Sequence, residues 1–397
     1  MLVDLRGRID RPPTVPFRYL HALDGLRGIG ILMVVFAHYA AGVSEWAGTR
    51  FFGVSISLDF FFVLSGYLIT TLLLEEWGNN SEVSMRNFYV RRALRLLPAL
   101  YVFLAVMLAI ALFTNLLPRK QLLAEVGAAA LYMYPAILLI KGDQAFMFHL
   151  WSLSIEEWFY FIWPCLLVFV GLRPRTSARL RLVVGMLVGL VIACFAIRQI
   201  GNDDVISRLV GMLRPDSLAL GALLAFLARW WKEFPDQRLH RVLNILGPLG
   251  CVGYVYFAWF AHFPRPPGLT DAEFHDIAFR SWNYRFGILS CFFMILHIAH
   301  RPEGKFSRAL SWRPLTFLGG LSYAIYLWHQ PLYLLANRHL FRGDPKLENH
   351  IERSVTEMWA FGLTMCAISI LVALASQRFI ERPALAQKSR FEMVKYH

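Results

Sequence analysis

An arginine and a histidine stand in one apolar stretch, LHALDGLRGIGILMVVFAHYA, as Arg27 and His38. At about 100° per residue, the steps between them return the second side chain to nearly the face of the first, roughly 16 Å along a helix axis. An ionisable group inside a lipid-spanning helix costs at least about 2.5 kcal/mol, so such groups are functional candidates by default. A guanidinium can hold an anion and an imidazole can move a proton near neutral pH. A lone histidine on an apolar face is nevertheless more often a satisfied core residue. Asp59, about a third of the way along the next apolar stretch, could orient His38, neutralise Arg27 or form a purely structural pair with it. Arg214 and Asp216 bracket Pro215 and read as an internally compensated pair at a kink. His297 and His300 share a helical face with no third ligand nearby, so no metal is expected.

These residues need a lipid-embedded scaffold, and the composition supplies one. The 397 residues are 57% hydrophobic and 17% charged, far from soluble averages. A net charge of +13 could indicate nucleic acid, but the basic residues cluster between apolar runs of about 20 residues, the length that a bilayer demands, so no nucleic acid is expected. The five cysteines lie scattered within apolar runs, without the spacing of a disulfide framework or a zinc site. Spans are expected at 21–43, 51–74, 94–117, 151–172, 181–201, 208–230, 242–262, 283–300, 315–340 and 357–380. An alanine-rich segment at 121–140, with Glu125 and Pro135 and a polar Lys141–Gln144 stretch after it, is ambiguous. Basic segments at 1–18, 86–95, 173–181, 229–241, 301–313 and after Arg378 all become cytoplasmic if 121–140 does not cross. Gly201–Asp204 and 263–280 then face outward, while 342–354 is mixed in charge and adds little. The expected fold is all-α: a polytopic transmembrane helix bundle of about ten spanning helices plus one short re-entrant or interfacial helix. Residues 1–18 form a cytoplasmic N-terminal segment without a cleavable signal peptide, 19–383 the transmembrane domain and 384–397 a cytoplasmic tail. The expected location is the cell (inner) membrane, multi-pass.

Five stretches in order resemble the acyltransferase-3 family of membrane O-acyltransferases. Arg27 and His38 resemble its first-helix motif, and LDFFFVLSGYLIT (58–70) its FFVLSG segment, with Asp59 acidic and Ser57 where glycine is usual. NFYVRRALRLLP (87–98), HLWSLSIEEWFYFIWP (149–164) and LSYAIYLWHQPL (321–332) resemble three later segments, and RPDSLALG (214–221) and FIERP (379–383) are weaker echoes. The resemblance covers nearly the whole chain and is to the stand-alone form, without an appended SGNH-type domain. It implies transfer of an acyl group, expected to be acetyl, from cytoplasmic acyl-CoA to a hydroxyl of a carbohydrate or small-molecule acceptor.

Under that resemblance His38 is the candidate base, because a buried imidazole stays in the neutral form that a base requires. Arg27 and the cluster Arg91, Arg92 and Arg95 would meet the CoA phosphates, for which guanidinium forks are suited; ordinary positive-inside anchoring is the plainer reading of the cluster. His149, Trp151, Glu156 and Glu157 would form an aromatic and acidic platform for a sugar, against an interfacial aromatic belt as the alternative. Tyr323 and His329 join the substrate-binding candidates, although His329 could equally serve to satisfy backbone groups freed by Pro331. Two competing readings remain. A transporter or flippase would also carry intramembrane charges, but no inverted repeat is visible. The other large family of membrane-bound acyltransferases would also offer a late-helix histidine, but not the first-helix motif.

Overall fold

The computed structural model describes residues 19–46, 49–51, 53–114, 119–141, 146–172, 177–200, 205–233, 237–257, 262–264, 282–340 and 355–387. The N-terminal segment 1–18, most of the polar stretch after Lys141, the connection Gly201–Asp204, nearly all of 263–280, the segment 342–354 and most of the C-terminal tail lie outside the described residues. The elements run α1 (His21–Trp46), β1 (Thr49–Phe51), α2 (Gly53–Asn80), α3 (Met85–Phe113), α4 (Arg119–Ala130), α5 (Tyr134–Lys141), α6 (Leu150–Leu166) and α7 (Ser177–Ile200). They continue with α8 (Val205–Leu213), α9 (Pro215–Glu233), α10 (Gln237–Val255), β2 (His262–Pro264), α11 (Trp282–His300), α12 (Lys305–Leu310), α13 (Arg313–Leu340), α14 (Val355–Ser376) and α15 (Arg382–Leu385). Short π-helical turns, Leu167–Leu172 and Gln377–Glu381, extend α6 and α14. The two strands pair antiparallel and tie the ends of α1 and α10 together.

The all-α membrane bundle is therefore what the chain forms. Among the described residues, five stretches are long and apolar enough to cross a bilayer: Ile56–Asn80, Met85–Phe113, Leu150–Val170, Arg179–Gln199 and Ala360–Leu385. The expected count of about ten spans is not confirmed by that measure, although α1 and α13, with 26 and 28 residues, have ample length. The basic stretch 86–95 is not a loop but the first turns of α3, opened by Ser84, whose Oγ accepts from the Asn87 amide at 3.3 Å.

Helices of the bundle pack at glycine distance. A Cβ on Gly28 would lie 2.2 Å from the Leu315 carbonyl oxygen, and one on Gly319 1.9 Å from that of Asp24, so α1 and α13 touch backbone to backbone. Gly66 and Gly221 do the same for α2 and α9, with a Cβ on Gly221 falling 2.0 Å from Val63 O. Lipid gives no hydrophobic drive between helices, so such small-residue contacts are what hold them together. Arg27 meets Ser322 and His38 meets His329, so α1 and α13 run in the same direction.

The segment at 121–140 divides into α4 and α5, of 12 and 8 residues. At about 1.5 Å per residue neither spans a core of about 30 Å. Glu125 is fully buried and anchors the unit: Oε1 accepts from Gln121 Nε2 (2.9 Å) and the Phe146 amide (3.0 Å), and Oε2 from the Tyr134 hydroxyl (2.7 Å) and the Met147 amide (2.8 Å).

Span 208–230 is likewise broken. Arg214 takes a left-handed φ of 46° between α8 and α9, and Pro215 opens α9, where its missing N–H costs nothing. Arg214 and Asp216 do not compensate each other, which corrects the sequence expectation. Arg214 Nη1 donates to Asp59 Oδ2 at 2.8 Å, Ser217 Oγ to Asp59 Oδ1 at 2.7 Å, and the Tyr284 hydroxyl also donates to Asp59. Asp216 instead takes Arg198 at 2.9 Å. The two pairs, all four members at 3% exposure or less, stitch α2, α7, α9 and α11 together.

Asp59→Ala should leave Arg214 buried and unpaired, costing about 3–5 kcal/mol; a lowered thermal midpoint in detergent would register it, with recovery in the double variant Asp59→Leu, Arg214→Met. Gly319→Val should push α1 off α13 at a cost of at least about 1–3 kcal/mol, read as loss of monodisperse protein on size exclusion.

Candidate active site

Two helices and a turn bring three histidines together. His38 comes from α1, His329 from α13 and His149 from the turn that precedes α6. The His38 and His329 ring centroids are 5.0 Å apart, and those of His149 and His329 5.2 Å. His149 and His329 are buried, whereas His38 is half-buried.

Backbone carbonyls assign the tautomers, because each accepts and the facing nitrogen must donate. His38 Nδ1 lies 2.8 Å from Val34 O, His329 Nδ1 2.8 Å from Tyr326 O, and His149 Nε2 3.2 Å from Leu327 O. His38 therefore carries its proton on Nδ1, with His329 Nε2 a further 3.4 Å contact on that side. The His38 lone pair is left on Nε2. His149 is fixed further by its own carbonyl, which accepts from the Tyr326 hydroxyl, itself 2.6 Å from Ser152 Oγ. Among the described residues no three His, Cys, Asp or Glu side chains are grouped so as to hold a metal ion.

At the other end of the α1 and α13 stripe, Arg27 Nη2 donates to Ser322 Oγ at 2.9 Å and Nη1 lies 3.7 Å from Asp24 Oδ1. The three α3 arginines fare differently. Arg91 is bound to Glu76 at 2.8 Å, whose other oxygen accepts the Ser84 amide. Arg92 makes a bidentate pair with Glu157, with Nε 3.1 Å from each carboxylate oxygen, and covers the Tyr160 ring. Arg95 is exposed, forms no ion pair among the described residues, and has Arg27 as its strongest electrostatic neighbour and Arg92 as another. Two guanidinium groups in mutual repulsion at a low-dielectric boundary form a site that an anion relieves.

Asp59 is thus placed in the α2, α9 and α11 clamp, paired with neither Arg27 nor His38. Glu156 accepts from Ser65 Oγ at 2.9 Å and Glu157 holds Arg92, so both carboxylates belong to the arginine end rather than to a platform with His149. Trp151 packs between Phe62 and the Arg214 guanidinium, which lies 5.5 Å from its ring centre. Tyr323 donates to Leu96 O at 3.0 Å and links α13 to α3. Sequence reasoning missed Tyr326 and Ser152 as supports of His149, and Glu125 as the anchor of its turn; a buried glutamate in an alanine-rich stretch was the one visible signal among them.

Comparison with known proteins bears on this arrangement. Residues 20–378 match a family model described as an acyltransferase domain. The chain is 31% identical to the peptidoglycan O-acetyltransferase OatA of Listeria monocytogenes, over 92% of this chain and 56% of that protein. It is 31% identical to the putative peptidoglycan O-acetyltransferase YrhL of Bacillus subtilis, over 95% of this chain and 56% of the relative. For the O-acetyltransferase OatA of Staphylococcus aureus the identity is 28%, covering 92% and 57%. The chain thus spans little more than half the length of these relatives, and no solved structure matches it. With the family model covering residues 20–378, nearly all of its length, the chain belongs to the acyltransferase-3 family of membrane acyltransferases.

Proposed function

We propose that this protein is a membrane O-acetyltransferase that takes acetyl from acetyl-CoA at the Arg27 end of the stripe and passes it to a carbohydrate hydroxyl at the histidine end. One observation carries the reading: Arg27, with Arg95 of α3 as an electrostatic neighbour, and the His38 imidazole lie on one line of α1, roughly 16 Å apart. Arg27 and Arg95 hold the CoA phosphates, and the extended pantetheine arm follows α1 toward His38. Arg91 and Arg92, already paired with carboxylates, set the local geometry. The relatives' names support a peptidoglycan-type sugar as the acceptor.

In the reaction, His38 Nε2 removes the proton from the acceptor hydroxyl as its oxygen adds to the thioester carbonyl carbon. The C–S bond then breaks, and the CoA thiolate takes the proton back from His38. The Nδ1 proton stays directed at Val34 O throughout, with His329 beside it, so the ring keeps one orientation and its transient positive charge meets a carbonyl dipole.

His38→Ala is expected to lower turnover of labelled acetyl-CoA with a glycan acceptor by about 10²-fold or more, with acetyl-CoA affinity unchanged. Equal turnover removes His38 from the chemistry, and acceptor movement across vesicles without any acetyl transfer would instead favour a transporter. Arg27→Ala should weaken acetyl-CoA binding by about 10-fold or more, since a charge-assisted hydrogen bond contributes roughly 1.5–3 kcal/mol; an unaltered dissociation constant by calorimetry places the phosphates elsewhere.

A further inference from the structure

Between α4 and α5 the backbone turns at Tyr132, which adopts a left-handed φ of 55° that a bulky residue rarely takes. Its hydroxyl is buried and has no hydrogen-bond partner among the described residues. Strain and an unmet buried donor thus fall on one side chain, and both are expected where the surroundings hold a group ready for a ligand. The turn itself is well satisfied, with the Tyr132 amide on Ala129 O at 3.1 Å and that of Met133 on Ala128 O at 2.7 Å, so the strained geometry is locked. Glu125 and Tyr134 fasten the two helices on either side.

The placement says what the hydroxyl serves. Tyr132 packs in the same core cluster as Tyr323, Tyr326 and Leu327 of α13 and Leu100 and Phe103 of α3. Glu157, Arg92 and Tyr323 are among its electrostatic neighbours. Tyr323 immediately follows Ser322, the partner of Arg27, and precedes His329 by roughly 9 Å of helix. Tyr132 thus packs beside the α13 segment that joins the arginine end to the histidines, along which the proposed function runs the pantetheine arm, a chain that carries two amides and a hydroxyl. A neutral donor among groups that are already paired suits an amide carbonyl, and it suits a phosphate less well than Arg27 and Arg95 do.

Resting on that reading of the donor, we infer that Tyr132 is a donor-binding residue whose hydroxyl hydrogen-bonds a pantetheine amide carbonyl of acyl-CoA. The test compares Tyr132→Phe with the wild type in detergent, measuring binding of acetyl-CoA and of adenosine 3′,5′-bisphosphate, which carries the phosphates without the arm, together with the thermal midpoint. Tyr132→Phe should weaken acetyl-CoA by about 5–20-fold, leave the bisphosphate unchanged, and keep or raise the midpoint, since an unsatisfied buried hydroxyl is removed. Unchanged acetyl-CoA binding overturns the inference, as does an equal loss for both ligands or a lowered midpoint, each of which marks a structural role. A wild type that binds neither ligand rejects the CoA donor itself, and the inference with it.

Discussion

The backbone contact between α1 and α13 is the constraint on which the rest depends. Gly28 and Gly319 let two parallel helices approach to where no Cβ fits, and only at that separation do Ser322 reach Arg27 and His329 reach His38. Between those two contacts α1 advances about 16 Å and α13 about 10 Å. A long guanidinium arm can span the difference along the axis, where a shorter cation could not. The same contact aims both polar groups away from lipid, which turns their desolvation cost into a site.

Four arginines of the bundle are neutralised by carboxylates. Arg198 has Asp216, Arg214 has Asp59, Arg91 has Glu76 and Arg92 has Glu157. Removing one member of such a pair strands the other in a medium of low dielectric, so these residues are retained by structure whether or not they act in the chemistry. Against that background the exceptions stand out: Arg95 beside Arg27, and three histidines whose protons go to backbone carbonyls and not to carboxylates. Among the described residues no carboxylate stands on the Nδ1 side, so His38 is oriented by the Val34 carbonyl with His329 beside it, which leaves its lone pair available without adding a negative charge to a lipid-embedded bundle.

Much of this was legible in the sequence because membrane helices obey one strong rule, the internal satisfaction of every backbone group, and so show up as long apolar runs. The stripe of Arg27 and His38 follows from helical period, and the exclusion of 121–140 from the spanning set followed from charge bookkeeping alone. Partner choice was not legible. Asp59 is separated from Arg214 by 155 positions, and only the packing of α2 on α9 decides that it meets that arginine and not Arg27. Proximity in sequence misled at Arg214 and Asp216, where the proline between them begins a helix and turns the two side chains to different partners. His149, Glu156 and Glu157 share one motif, yet a helix separates them along its axis, so a single motif supplies both ends of the site.

The short α4 and α5 pair extends this logic to the part of the chain that period and hydropathy describe least well. Irregular backbone at membrane depth persists only where protein groups satisfy it or where it faces a polar space. Glu125 meets the first condition for the turn that carries His149, supplying acceptors to the Phe146 and Met147 amides that no helix provides. That turn leads into α6 with His149 at its N-cap, and the ring reaches Leu327 O of α13 at 3.2 Å. The carboxylate is thus bound to the site through the backbone it holds, and the distance from Glu125 to the chemistry in sequence conceals how directly its loss would be felt there.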